Sequence, residues 1–246
     1  MNKSLYVAMT GAQELLNAQA VNNFNLANAN TVGFKAELSA FQSQAVLGSG
    51  YPSRVYATNN TTGWNSASGS MITTGRPLDV AVQGPGFIAV QGPNGKEAYT
   101  RNGDLHVEAS GMLVTSTGQL VLGDSGPISV PPSSSVKIGA DGTVSVVPLG
   151  QTPDTLAAVG RIKLVNPPVA SLVRQPDGLF AMANGSTAPA DASVKLASGV
   201  LESSNVDVAD AMVHMIDLAR SFDLQVKVMK SDKSNSAAAS QLLQPG

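Results

Sequence analysis

Apolar and polar positions follow three different rhythms along the chain. From residue 3 to about 30, Leu5, Met9, Ala12, Leu16, Ala20, Asn23 and Ala27 mark one side of a helix. Leu5, Leu16 and Ala27 are eleven residues apart, a spacing that keeps one face of a nearly straight helix turned to a partner. A seven-residue seam fits worse, because it would place Gln19 as well as Asn23 inside. Ala8, Gly11, Ala12, Ala18 and Ala20 keep the cylinder slim, and its polar positions are amides more than charges. Such a helix is marginal in water by itself and gains its stability from packing. It ends in Asn25-Leu26-Ala27-Asn28-Ala29-Asn30-Thr31-Val32-Gly33-Phe34-Lys35. Asn and Gly tolerate positive φ and stop helices. Gly33 is the expected left-handed position, with Phe34 thrown back onto whatever the helix packs against.

The second rhythm starts at Arg76. Short β-prone runs recur about every ten residues to residue 185, separated by Gly, Pro, Asn and Asp. Asn102-Gly103, Asp141-Gly142 and Pro176-Asp177-Gly178 each predict a turn between paired strands. The pattern is that of an all-β domain built on a twisted, partly closed sheet. Two low-complexity stretches flank it. Residues 36–75, rich in Gly, Ser, Asn and Thr, read as an extended connector. It opens with a possible short extension of the helix over Ala36–Gln44 and holds a candidate strand at Arg54–Thr58. Residues 186–204 read as a return connector. Trp64, the one tryptophan, fits a local packing anchor.

The third rhythm is a seam of alternating four- and three-residue steps, Val208, Met212, Met215, Ala219, Phe222, Val226 and Met229. That is the spacing of a coiled coil. Asp207 is its expected N-cap, with Asp210 three residues on. Beyond Met229 the same steps reach Lys233, Ser236, Ser240 and Leu243, so the seam weakens and the end should fray.

Composition narrows the function classes. Net charge is −2 and charged residues are 13% of the chain, which argues against a basic nucleic-acid face. Aromatic residues are only 4%, so the cores are thin or helices bury their faces against other subunits. With no cysteine, disulfides, thiolate zinc sites and thiol nucleophiles are excluded. No apolar run is long enough to span a membrane, and the N-terminus lacks the apolar block of a cleaved signal peptide.

No catalytic constellation emerges. His106 lies in a β segment and should be exposed. His214 has Asp210 at i−4 and Asp217 at i+3, a face that reads more simply as solvated than as a metal site. Gly84-Pro85-Gly86 is a turn between strands and opens no helix, so it is not a dinucleotide loop. We therefore expect no enzyme, no cofactor and no metal.

The words themselves carry more. NLANANTVGFK near the start, RPLDVAVQGPGFIAVQ, EAYTRNGDLHV and GMLVTSTGQLVLG in the middle, and SGVLESSNVDVADAMVHMI near the end together resemble the bacterial flagellar basal-body rod and hook proteins. The resemblance covers nearly the whole chain. RPLDVA, GRIKLV and the overall length look most like the proximal rod members. The polar tail KSDKSNSAAASQLLQPG departs from the pattern and leaves the register of the last turns open.

The expected architecture is mainly β with long terminal helices. Residues 1–35 and 205–246 pair into a discontinuous coiled-coil-like domain, and 76–185 form the internal β domain. The resemblance implies a structural subunit of a helical tube that crosses the periplasm and transmits torque. It also implies copies of itself and other rod proteins as partners, and passage through the flagellar export apparatus without a cleaved signal. Neither nucleic acid nor membrane insertion is expected. The assembly surface should consist of the two stripes together with Asn25, Asn28, Gly33 and Phe34. Two other readings remain open: a distal rod or hook component, and a β module that binds or hydrolyses peptidoglycan.

Overall fold

A computed structural model of the chain describes residues 3–45, 55–151 and 155–242. Arg54 and Leu243, both named above, lie outside the described residues. The chain divides into two units: one of Met1–Ala29, Ala36–Asn65 and Val206–Gly246, the other of Asn30–Lys35 and Ser66–Asn205. Both chain ends therefore belong to one unit, and the β-rich middle forms the second.

The terminal unit holds two helices, α1 (Lys3–Ala27) and α2 (Val208–Leu242), and a hairpin of β1 (Glu37–Ala45) and β2 (Val55–Trp64). Buried and half-buried positions of α1 include Ala8, Gly11, Leu15, Ala18, Asn22 and Asn25, in steps of three and four. A seven-residue seam is thus present, in a register other than the one that would bury Gln19 and Asn23. Amides are tolerated on it because acceptors meet them. Asn22 Nδ2 donates to Ala211 O at 2.8 Å. The small residues allow close approach, and the space over Gly11 is filled by the Gln225 amide. Asp207 caps α2 as expected, its carboxylate accepting from the N–H groups of Ala209 (2.9 Å) and Asp210 (3.2 Å).

The stretch read as a connector is instead largely strand. β1 and β2 pair antiparallel from Glu37↔Trp64 to Ala45↔Val55, so Ala36–Gln44 does not extend the helix. Asn25 stops that extension by clamping Glu37 from both sides, accepting from its N–H at 2.8 Å and donating to its carbonyl at 2.9 Å. Val55, Tyr56 and Thr58 supply β-forming side chains. The ribbon is tied to α1, where Glu14 Oε2 accepts from Asn59 N at 3.0 Å. Trp64 is buried at its base.

The β unit begins with β3 (Met71–Thr73), β4 (Val80–Gln83), β5 (Phe87–Gln91), β6 (Glu97–Thr100), β7 (Leu105–Val107) and β8 (Leu113–Thr115). It continues through β9 (Leu122–Gly123), β10 (Gly126–Pro127), β11 (Ser133–Ile138), β12 (Thr143–Pro148), β13 (Ala157–Arg161) and β14 (Leu164–Val165). After a 3-10 turn at Val169–Ser171 come β15 (Leu172–Arg174), β16 (Phe180–Met182), β17 (Lys195–Ser198) and β18 (Val200–Glu202). The strands do not make one curved sheet. They form a five-stranded sheet in the order β14-β5-β6-β16-β15, a three-stranded sheet β11-β12-β13, and several two-stranded pieces. These pack on one apolar core that includes Val82, Ile88, Leu105, Leu113, Val144 and Ile162.

Two of the three predicted turns join paired strands. Asp141-Gly142 links β11 to β12, with Gly142 at φ 86°. Pro176-Asp177-Gly178 links β15 to β16. Asn102-Gly103 does not, because β6 pairs with β5 and β16 while β7 pairs with β8. Here glycine serves a close approach. A Cβ on Gly103 would sit 1.7 Å from Val80 O, and Val80 N donates to Gly103 O at 2.9 Å. The return stretch 186–204 also carries strands, with β17 on β4 and β18 on β3. Its Ala, Ser and Gly content hides them.

Candidate functional site

The Asn-rich turn splits between the two units. Asn25 and Asn28 stay with α1, where Asn28 Nδ2 donates to Phe24 O at 2.9 Å. Asn30–Lys35 belong to the β unit. Gly33 has φ 68°, the left-handed position foreseen, and its N–H donates to Glu202 O at 2.8 Å. No side chain fits there: a Cβ would lie 2.3 Å from the Arg101 carbonyl carbon. Phe34 is buried beneath the Arg174 guanidinium, 4.3 Å from its ring centroid. The reason is local. Arg174 Nη1 donates to Lys35 O at 2.7 Å, which holds the guanidinium over the ring of the preceding residue.

Lys35 completes a socket that sequence reading missed. Its ammonium is buried and donates to Glu202 Oε1 at 2.6 Å and to Ala67 O at 2.7 Å. The second carboxylate oxygen of Glu202 lies 3.3 Å from Arg101 Nε, and Gly69 N donates to Oε1 at 3.0 Å. Arg101 in turn reaches Gly84 O through both terminal nitrogens at 2.8 Å and stands over Phe87 at 5.8 Å. Phe87 packs on Phe180 at 5.3 Å, and Arg174 lies 5.9 Å from the Phe180 ring. The contacts thus close a ring from Phe34 through Arg174, Phe180, Phe87, Arg101 and Glu202 to Lys35. Burial pushes the Lys35 ammonium below its ordinary value, and the Glu202 carboxylate opposes that shift. Burial likewise lowers Arg101, again against Glu202. One carboxylate facing two buried cations is a structural joint.

The stripe residues divide. Ala12 is buried, Leu5 half-buried, and Met9, Leu16, Ala20, Asn23 and Ala27 are exposed. On α2, Met215, Phe222, Val226 and Met229 are half-buried, while Val208, Met212 and Ala219 are exposed. The inner face of α2 therefore runs closer to Ala211, Met215, Leu218 and Phe222. The outer face carries a row in steps of four, Val208, Met212, Ile216, Arg220, Leu224 and Val228, of which the expected stripe held only Val208 and Met212. Ile216 and Leu224 are 50% and 60% exposed. A steps-of-four search, in addition to the heptad, would have found it. Beside α1, a groove of about 820 Å³ is lined by Val7, Ala8, Gly11, Phe41, Gln225 and Val228. Soluble monomers seldom leave so much apolar surface uncovered, and such patches mark contacts with other proteins.

His106 is exposed, as expected. His214 is exposed too, with Nε2 3.9 Å from Asp210 Oδ2, too long for a hydrogen bond. Among the described residues no three His, Asp or Glu side chains are grouped to hold a metal. Among the described residues no helix is long and apolar enough to cross a membrane.

Slim helices from both chain ends with uncovered apolar faces, and a separately packed β unit, define a subunit of a larger protein assembly. Comparison with known proteins says which kind. Residues 5–35 match the flagella basal body rod protein family, residues 81–146 the flagellar hook protein FlgE/F/G D1 domain, and residues 197–242 the flagellar basal body rod FlgEFG protein C-terminal family. Over 99% of both chains, the sequence is 43% identical to the flagellar basal-body rod protein FlgF of Escherichia coli and, equally, to that of Salmonella typhimurium. It is 33% identical to the flagellar basal-body rod protein FlgG of Bacillus subtilis over 93% of this chain and 94% of that one. The chain belongs to the flagellar basal-body rod protein family, whose members are structural proteins and not enzymes.

Proposed function

We propose that this chain builds the proximal rod of the bacterial flagellum by assembling through the outer faces of α1 and α2. The observation that carries the reading is the uncovered apolar row on α2, together with Met9 and Leu16 on α1. Within a subunit the two helices pair in a coiled-coil-like manner over their small and half-buried seams. Between subunits, the outer rows meet unlike surfaces on neighbouring copies and on other rod proteins. Heterologous contacts that do not close produce a helical tube. A tube with its subunits locked by packed helices transmits torque across the periplasm. Helices that need neighbours for stability also suit passage through the flagellar export apparatus, ordering on arrival. The higher identity to the FlgF chains than to the FlgG chain favours the proximal over the distal rod. Locating the protein in isolated basal bodies separates those two positions.

The test is complementation of a deletion strain. Wild-type protein restores complete rods and swimming, while a chain carrying Met212→Ser, Ile216→Ser and Leu224→Ser restores neither, although its β unit remains folded by circular dichroism. Normal swimming with the triple variant refutes assembly through this face.

A further inference from the structure

Among the described residues, Glu202 is the one carboxylate that reaches both Lys35 and Arg101, and its partners come from distant parts of the chain. Lys35 is 167 residues away. Side-chain exposure is 1% for Lys35, 3% for Arg101 and none for Glu202. Burying an unpaired charge is costly by several kcal/mol. If Asn30–Lys35 docked on the β unit while Val200–Glu202 was elsewhere, two cations would be buried near each other with no anion between them. If β18 docked without Lys35, Glu202 would bury its charge against Arg101 and one backbone N–H only. Neither piece can settle well before the other. The main chain repeats the dependence, since Gly33 N donates to Glu202 O and Asn205 N donates to Phe34 O at 3.3 Å. The rest of the β unit has an apolar core of its own, with Ile88, Leu113, Val144 and Ile162 among its members.

We propose that Lys35, Arg101 and Glu202 form a charge interlock, so that Asn30–Lys35 docks on the β unit only when Val200–Glu202 docks with it. The segment following α1 and the strand preceding α2 are thereby made to close in one step, after the β core has formed. A chain whose C-terminal portion is still missing or held away keeps its N-terminal turn undocked. This inference concerns the β unit alone and holds or fails independently of the assembly reading.

Pulse labelling during refolding of the full wild-type chain tests it directly. An amine-acylating reagent reports burial of Lys35, and amide exchange reports β18 and the core. Lys35 protection should rise in the same phase as the amides of Val200–Glu202 and after those of Ile88–Val90. Protection of Lys35 together with Ile88–Val90, before Val200–Glu202, overturns the interlock. At equilibrium, Glu202→Gln keeps the volume and removes the charge. It should acylate Lys35 at least about tenfold faster, with the exposed Lys137 and Lys195 and the core amides unchanged. In Lys35→Met/Glu202→Gln no cation is left unpaired at position 35, and amides of Val32–Phe34 should exchange more slowly than in Glu202→Gln. Unchanged Lys35 labelling in Glu202→Gln, or a double variant that exchanges faster than Glu202→Gln, refutes the charge mechanism.

Discussion

The two units solve the problem of burial in opposite ways. In the β unit Val80, Val82, Ile88, Val90, Leu105, Leu113 and Val121 have no exposure at all. In the terminal unit the buried apolar residues, among those described, are Ala8, Ala12, Ala18, Ala211 and Trp64, and each keeps some exposure. Large side chains there point outward instead: Met9, Leu16, Phe41, Met212, Ile216 and Leu224 are each about half exposed or more. At about 25 cal/mol per Å² of apolar surface removed from water, alanine against alanine contributes little. The β unit is finished within one chain. The terminal unit leaves its largest hydrophobic side chains about half exposed.

The sharpest way to break this contrast is a pair of truncations. Ile88→Ala should destabilise the β unit by about 2–5 kcal/mol, whereas Ile216→Ala should leave monomer stability almost unchanged and lower assembly. Equal losses in urea unfolding of the monomer would show that the helices are already finished. Next in size is Gly33→Ala. A left-handed position costs a non-glycine residue about 1–3 kcal/mol, and the clash with the Arg101 backbone adds to it. Faster amide exchange at Val32–Phe34 would register it.

Smaller again is a pH effect confined to the β unit. Burial pushes the Tyr99 hydroxyl up to about 12, and Glu97 adds to the shift while the Ala188 N–H opposes it. An unfolded tyrosine releases its proton near pH 10, so above that pH the unfolded chain gains by ionising and the folded one does not. Stability should fall as pH rises from about 10 towards 12, by on the order of 1–2 kcal/mol after solvent screening. Tyr99→Phe should remove that part of the slope in denaturation curves. Smallest is Asp207→Ala, which deletes the α2 cap and should cost about 1 kcal/mol of helix stability. Loss of helical circular dichroism with the β unit's unfolding midpoint unchanged would confirm that the units report separately.

What could be read from the sequence depended on how locally each feature is determined. Asp141-Gly142 and Pro176-Asp177-Gly178 carry their turn chemistry within a few residues, and both were legible. Asn102-Gly103 looks the same on paper, but its glycine answers to a carbonyl on Val80, twenty-three residues back. The β1–β2 ribbon was hidden because its Ser, Gln, Asn and Thr match the composition of a linker, and its order comes from Asn25 and Glu14 on α1. The helix stripes were found as patterns. For α1, which side faced inward was not, since its inner seam is marked mostly by small and amide residues and its outer side by Met9 and Leu16. Gly33 was legible from its type alone. The partners of Phe34 and Lys35 were not, because Arg101, Arg174 and Glu202 are brought there only by the fold.

The places where the chain enters and leaves the β unit have a mechanical consequence. Lys35, Ala67 and Asn205 are bonded together, with Ala67 O accepting from both Lys35 Nζ and Asn205 Nδ2 at 2.7 and 2.8 Å. Tension applied through any of these three segments arrives at the same small cluster and is divided among bonds held in parallel.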